Sequence, residues 1–305
     1  MASHSHSHSH GHAPSASADR RWLTLALVLI LGFMVVEVVA GLLASSVALL
    51  SDAAHMLTDA GSLALALGAA SLAARPPSRR YTFGLGRAEV LSAQVNGAAL
   101  LLLAGVLAFE SVRRLLDPGD VEGAIVVAVG GAGALVNVGA AWALSRSERR
   151  SLNVEGALAH VRADLYASLA AAASGLVVLL TDWARADAVA ALVVVGLMVR
   201  SGFGLLREAT HVLLEGAPSG LEPQEVGAAL AAHPCVQEVH DLHLWEVTSG
   251  FPALSAHVLV GERDDCHEAR LELESLLRER FGLTHTTLQV DHTGRSPLLQ
   301  IGPRA

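Results

Sequence analysis

The sequence predicts a membrane protein with an all-α domain of six transmembrane helices, followed by a small α/β domain of element order αββαβ. Three observations carry that prediction. Of 305 residues, 52% are hydrophobic and only 16% charged, with a mean hydropathy of +0.47, a composition suited to a bilayer rather than to water. Six apolar stretches, at 22–44, 47–74, 87–115, 121–145, 153–181 and 184–207, each reach the length a helix needs to cross a hydrocarbon core, about 20 residues. From about residue 209 the pattern changes to short alternating apolar runs separated by polar turns. The organisation expected is a His-rich tail over 1–20, a six-span domain over 21–208 and a C-terminal domain over 209–305.

Taken in order, residues 1–20 are rich in Ser and His and hold no apolar run, so they do not resemble a secretory signal and the first apolar stretch is expected to stay as a span. The second span is expected to end at Arg75-Pro76-Pro77, because a residue before proline is forced out of the α region. The second and fifth spans are the least lipid-like: one carries Asp52, His55 and Asp59, the other Glu155, His160, Arg162 and Asp164. Both should therefore face the interior of the bundle, where Ala53-Ala54 and the run Ala170 to Ala173 allow close helix approach. Glu37, Glu89, Asn96 and Asn137 are further polar residues within spans, expected to bind neighbouring helices or line a wet vestibule. In the C-terminal part, 222–233 reads as a helix, 236–247 as a strand, Thr248-Ser249-Gly250 as a turn and 253–260 as a strand. An amphipathic helix over 264–281 and a strand over 286–291 follow.

Charge orients the chain. Six spans put both ends on one side, and ten arginines between Arg20 and Arg207 flank that side against Arg113, Arg114 and Arg185 on the other. By the positive-inside rule both termini are expected in the cytoplasm, and the plasma (inner) membrane is the expected location. The net charge of −8 lies wholly in 209–305, and no nucleic-acid partner is expected. There is no Lys, and the two cysteines, Cys235 and Cys266, both fall in the tail. No disulfide framework carries the fold, and a reducing compartment for the tail fits.

The chemistry sits in a repeated pattern. His55 with Asp59, and His160 with Asp164, are each one helical turn apart inside apolar stretches, so each pair shares a helix face and can close on one ion. A carboxylate near the bilayer centre costs roughly 2.5–3.5 kcal/mol on insertion scales, and such a cost usually marks function. Two imidazoles and two carboxylates make a ligand set that suits tetrahedral Zn²⁺. The bland alternative has each His bonding within the bundle and each Asp pairing with a neighbour such as Arg162. Asp52 shares the face of His55 and Asp59 and is a candidate carboxylate just outside the ligand set, or else a helix cap after Ser51. His4, His6, His8, His10 and His12 form a candidate chelating tail, a purification tag being the alternative.

No H-E-x-x-H is present and neither His55 nor His160 has an adjacent Glu to act as general base, so an intramembrane protease is not expected; neither is an ATP-driven pump, because there is no G-x-x-x-x-G-K-[ST]. An enzyme is not expected.

Residues 33–63, FMVVEVVAGLLASSVALLSDAAHMLTDAGSL, resemble the first two spans of the cation diffusion facilitator family. HDLHLWEVTSG at 240–250 resembles that family's cytoplasmic domain, and the likeness runs from about Arg21 to His292. The resemblance implies a homodimeric, proton-coupled exporter of divalent metal with six spans and a ferredoxin-like tail. It implies a transport site at His55, Asp59, His160 and Asp164, of a type that is typically for zinc and often passes cadmium or cobalt. It also implies a cytoplasmic, regulatory zinc site from His240, His257, His267 and Asp291, although Gln289 stands where another ligand is expected. His233, His243, His285, His292, Cys235 and Cys266 lie nearby in sequence, His243 and His285 reading as structural. Two ionised Asp would cancel the charge of Zn²⁺, so protons and metal would compete for the same atoms. The competing reading is a membrane zinc sensor or buffer that transports nothing.

Overall fold

Helices α1 (Ala16–Leu43), α2 (Val47–Ala73), α3 (Arg87–Leu116), α4 (Gly123–Ser145), α5 (Leu152–Thr181) and α6 (Arg185–Leu213) make up the N-terminal part, one on each predicted span. The structure is a computed structural model; it describes residues 16–43, 47–117, 123–147, 151–183 and 185–293, without the side chains of 16–19, 37, 40–43, 47–55, 58 and 187. The chain divides into two compact units, 1–210 and 211–305.

In the first unit, α3 to α6 are each long and apolar enough among the described residues to cross a membrane, and α2 contributes an apolar segment over Asp59–Ala73. Helix α2 stops at Ala73, just ahead of Arg75-Pro76-Pro77 as predicted. The start of α5 is fixed by Ser151, whose hydroxyl accepts the Val154 N–H at 3.3 Å. Glu155 in its first turn faces the positive end of the helix dipole.

Two apolar cores meet on α5. Leu23 and Ile30 of α1, Leu63 and Ala66 of α2, Ala140 of α4 and Val161 of α5 form one. Leu100 and Ala104 of α3, Ala163 of α5 and Val194 and Met198 of α6 form the other. The sides of α5 that carry Asn153 and His160 are covered by these cores and keep both residues buried, while Glu155, Arg162, Tyr166 and Leu169 on its other side are exposed. Small residues bring the helix backbones together: a Cβ on Gly130 would stand 2.9 Å from the Ala172 nitrogen, and one on Gly202 3.0 Å from the Gly97 carbonyl. Leu102, Phe109, Leu135 and Leu180 point outward and are more than two-thirds exposed, as a lipid-facing surface requires.

The second unit is an open-faced α/β sandwich of the predicted order. It runs α7 (Pro223–Ala231), β1 (Val236–Thr248), β2 (Phe251–Val260), α8 (Cys266–Phe281), β3 (His285–His292). The sheet order is β1-β2-β3. Strands β1 and β2 pair antiparallel across a turn at Gly250, whose φ of 74° suits glycine, and β2 pairs parallel with β3 through the α8 crossover. Leu254, Ala256, Val258 and Val260 alternate along β2 into a core with Val226 and Leu230 of α7 and Ala269, Leu273 and Leu277 of α8. Both helices thus cover one face, leaving residues such as His257 on the other. Elements shift slightly from expectation. Helix α7 ends at Ala231, short of His233, because Pro234 restricts the residue before it. Helix α8 begins at Cys266 because Asp265 caps it, accepting the His267 and Glu268 N–H groups at 2.8 and 3.2 Å.

Candidate metal centres

Near the middle of α2, Asp59 points at α5, where His160 and Asp164 stand one turn apart. His160 Nε2 donates to Asp59 Oδ1 at 3.0 Å and lies 3.8 Å from Asp164 Oδ2. Ligands on a sphere of about 2.0–2.2 Å stand roughly 3.3–3.6 Å apart at tetrahedral angles, so the three donors need only small adjustments to share one ion. Asp59 and His160 are buried and Asp164 nearly so, with side-chain exposures of 7%, 3% and 12%. Their donor atoms lie within 4.8 Å of one another. His55 is on α2 one turn before Asp59, but its side chain, like those of Asp52 and Glu37, lies outside the described residues. The tail carrying His4, His6, His8, His10 and His12 lies outside them as well.

Among the described residues no ion pair joins Asp164 to Arg162. Arg162 lines a separate cavity with Glu155 and Glu208, and the His160 imidazole faces Asp164 at 3.8 Å. Among the described residues neither His160 Nδ1 nor Asp164 Oδ2 has a hydrogen-bond partner, although both are buried. Such atoms are costly in an apolar bundle unless a cation or proton completes them.

A cavity of about 350 Å³ opens from Asp59 and Asp164 along α4 and α5, lined by Asn137, Ser168, Gly133, Gly130 and Ile125. It leads toward the end of the bundle that holds the α3–α4 and α5–α6 connections, opposite the α4–α5 connection. Glycine and serine keep it open, and Asn137 Nδ2 donates to Ser168 Oγ across it at 3.5 Å. Glu89, Asn96 and Asn137 are all buried within the bundle. Beside the site, Asn153 Nδ2 donates to the Ala66 carbonyl at 2.7 Å and ties α5 to α2, a contact no sequence pattern announces.

In the second unit, His240 and His257 are register partners on β1 and β2, with ring centroids 5.4 Å apart. Gln289 is the partner of His257 on β3, and its amide donates to Asp291 Oδ2 at 2.8 Å. These four residues form a row on the open face, though not drawn to metal-ligand separations. His267 departs from expectation: it sits in the first turn of α8, in the helical layer covering the other face. His243 pairs with Asp241 at 2.9 Å and His285 packs edge-on against Phe251, as the structural reading expects.

Among the described residues a second group of metal-ligand type lies in this unit: His233, Cys235 and Glu272, with donor atoms within 4.8 Å of one another. His233 Nδ1 is 3.1 Å from Cys235 Sγ, and its Nε2 is 3.5 Å from Glu272 Oε2. Burial, then the charges of Asp264 and Glu272, push the Cys235 thiol above its ordinary value. The His-Pro-Cys spacing at 233–235 hints at two donors, but Glu272 joins them only through the packing of α8.

A membrane bundle with a buried imidazole–carboxylate cluster, joined to a small α/β domain with further metal-type donors, defines a metal-handling membrane protein. Residues 23–214 match the model for the cation efflux transmembrane domain, and residues 218–293 that for the cation efflux protein cytoplasmic domain. The chain belongs to the cation efflux, or cation diffusion facilitator, family. It is 34% identical to the cadmium, cobalt and zinc/H(+)-K(+) antiporter of Bacillus subtilis (strain 168), over 89% of each chain. It is 38% identical to the zinc transporter ZitB of Escherichia coli (strain K12), over 86% of this chain and 84% of that one. Among solved structures, the metal-bound C-terminal domain of the CzcD transporter of Cuprividus metallidurans is 35% identical, covering 23% of this chain and 97% of that one, with a TM-score of 0.22.

Proposed function

We propose that this protein is a proton-coupled exporter of divalent cations, zinc foremost with cadmium and cobalt as further cargo. In this reading Asp59, His160, Asp164 and His55 form the transport site. The observation that carries it is the convergence of Asp59 from α2 with His160 and Asp164 from α5, buried inside a bundle of membrane-spanning length. The names of the relatives, which include a zinc transporter and a cadmium, cobalt and zinc antiporter, support the cargo.

The chemistry follows from charge. Two carboxylates neutralise a divalent cation, so the loaded site moves between inward and outward access at low electrostatic cost. Without the cation, protons must take its place on the same atoms, and metal and protons therefore travel in opposite directions. With both termini in the cytoplasm, the cavity above Asp59 and Asp164 leads outward and serves as the release path. The protein acts in the inner membrane as a homodimer, and zinc bound by His240, His257, His267 and Asp291 in the cytoplasmic domain tunes its activity. The domain limits are a tail over 1–20, a transport domain over 21–208 and a cytoplasmic domain over 209–305.

The test is zinc uptake into inverted or reconstituted vesicles with lumenal pH recorded in parallel. Uptake against proton movement, abolished by Asp59→Ala and by Asp164→Ala, is expected. Zinc binding without uptake by the unaltered protein would replace this reading with the sensor.

A further inference from the structure

One end of the C-terminal sheet gathers every thiol of the chain. Val236, Val260 and His292 are register partners there. His233 and Cys235 lead into β1, and Cys266 starts α8 with its Sγ 3.4 Å from His292 Nε2. Glu272 arrives one and a half turns further along α8. This end is distinct from the open-face row, whose His240 and His257 lie further along the strands and on the face away from the helices.

We propose that His233, Cys235 and Glu272 form a binding site for a thiophilic divalent cation, separate from both the intramembrane site and the open-face row. One nitrogen, one sulfur and one carboxylate oxygen already stand within 4.8 Å of one another, and thiolate, imidazole and carboxylate are the donor types that hold zinc. Thiolate and carboxylate together carry the two negative charges that balance the cation, and soft sulfur favours zinc or cadmium over magnesium or calcium. His233 already faces both partners, so drawing the set around an ion needs side-chain rotation rather than backbone movement. Cys235 is half-buried and Glu272 more than half exposed, which leaves the site open to ions from solvent. Water is expected at a fourth position, as in sites with three protein ligands. A bound ion would pin the corner between α7 and β1 to α8, coupling cation level to the packing of the domain's helical layer.

The full-length protein in detergent is titrated with Cd²⁺ alone while the ultraviolet thiolate-to-cadmium charge-transfer band is recorded. The intramembrane site and the His tract contain no thiol, the nearby Met56 being a thioether that gives no thiolate band, and Cys235 and Cys266 are the chain's two cysteines, so the band reports only on this end of the sheet. The expected result is a band saturating at one equivalent per chain, absent in Cys235→Ser and retained in Cys266→Ser. Glu272→Gln should keep the band and weaken Cd²⁺ binding at least about tenfold, since even partners outside the ligand set are worth about 10–100-fold. Thermal unfolding of each variant separates lost binding from lost fold. No band in the unaltered protein, or a band removed by Cys266→Ser and kept by Cys235→Ser, overturns the site. Because the readout is binding at sulfur, it stands or falls independently of transport.

Discussion

His160 of α5 holds Asp59 of α2 at 3.0 Å, so the intramembrane cluster is built across a helix–helix contact rather than along one helix. Either carboxylate alone leaves a divalent cation half neutralised in an apolar bundle. Asp59→Asn and Asp164→Asn should each lower zinc transport more than about 100-fold, beyond the range seen for residues outside a ligand set. Protein yield and helical content should be unchanged. Rates in proteoliposomes check this; retention of half the activity in either variant would remove that residue from the site.

Asn153 anchors the same contact from outside the cluster. It is fully buried and donates to the Ala66 carbonyl at 2.7 Å. Asn153→Ala removes one bond to a carbonyl that keeps its own helical partner, so the cost is that of a net hydrogen bond, about 0.5–1.5 kcal/mol in proteins generally and on average nearer 0.6 in membrane bundles. We expect a loss of about 1 kcal/mol in detergent unfolding, with zinc affinity less affected than stability.

Neighbouring glycines on α4 should respond in opposite ways. A Cβ on Gly130 meets Ala172 and Ser168 backbone at 2.9 Å, whereas one on Gly131 meets nothing within 4 Å. Gly130→Ala should destabilise the bundle by about 1–3 kcal/mol as α4 is pushed from α5, and Gly131→Ala should fall within about 0.5 kcal/mol of the unaltered protein. Equal melting temperatures for the two variants would contradict the observed α4–α5 packing.

The cap of α8 gives a pH dependence of defined sign. The N–H groups of His267 and Glu268 hold the Asp265 carboxyl below its ordinary value. Its contribution to stability is therefore fully present above the ordinary carboxylate range and is lost as pH falls through the folded-state value. Hydrogen exchange at the first turn of α8 should be faster in Asp265→Ala than in the unaltered protein at neutral pH, and the difference should vanish in acid.

On the open face, Gln289 interrupts a row of donors next to His257. Gln289→His puts an imidazole beside His240, His257 and Asp291 and should raise the zinc affinity of that row about tenfold or more. Calorimetry on the unaltered and substituted full-length proteins compares them directly. An unchanged isotherm would argue against metal on that face.

The sequence by itself determined the large-scale plan, because hydropathy and backbone hydrogen bonding act locally. Six apolar runs must be helical in a bilayer, Arg75-Pro76-Pro77 must end α2, and alternation along 253–260 must make a half-buried strand. The one-turn spacing of His160 and Asp164 was equally legible, since helix geometry alone puts them on one face. What joins α2 to α5 was not local. Which rotation brings Asp59 to His160, which glycines let α4 touch α5, and which carbonyl receives Asn153 are decided by packing between segments far apart in sequence. The same holds for the C-terminal domain. Resemblance grouped His267 with His240, His257 and Asp291, but it stands on α8, in the helical layer, and they stand on the strands. Packing of α8 instead delivers Glu272 to His233 and Cys235, a meeting that only the tertiary fold can make.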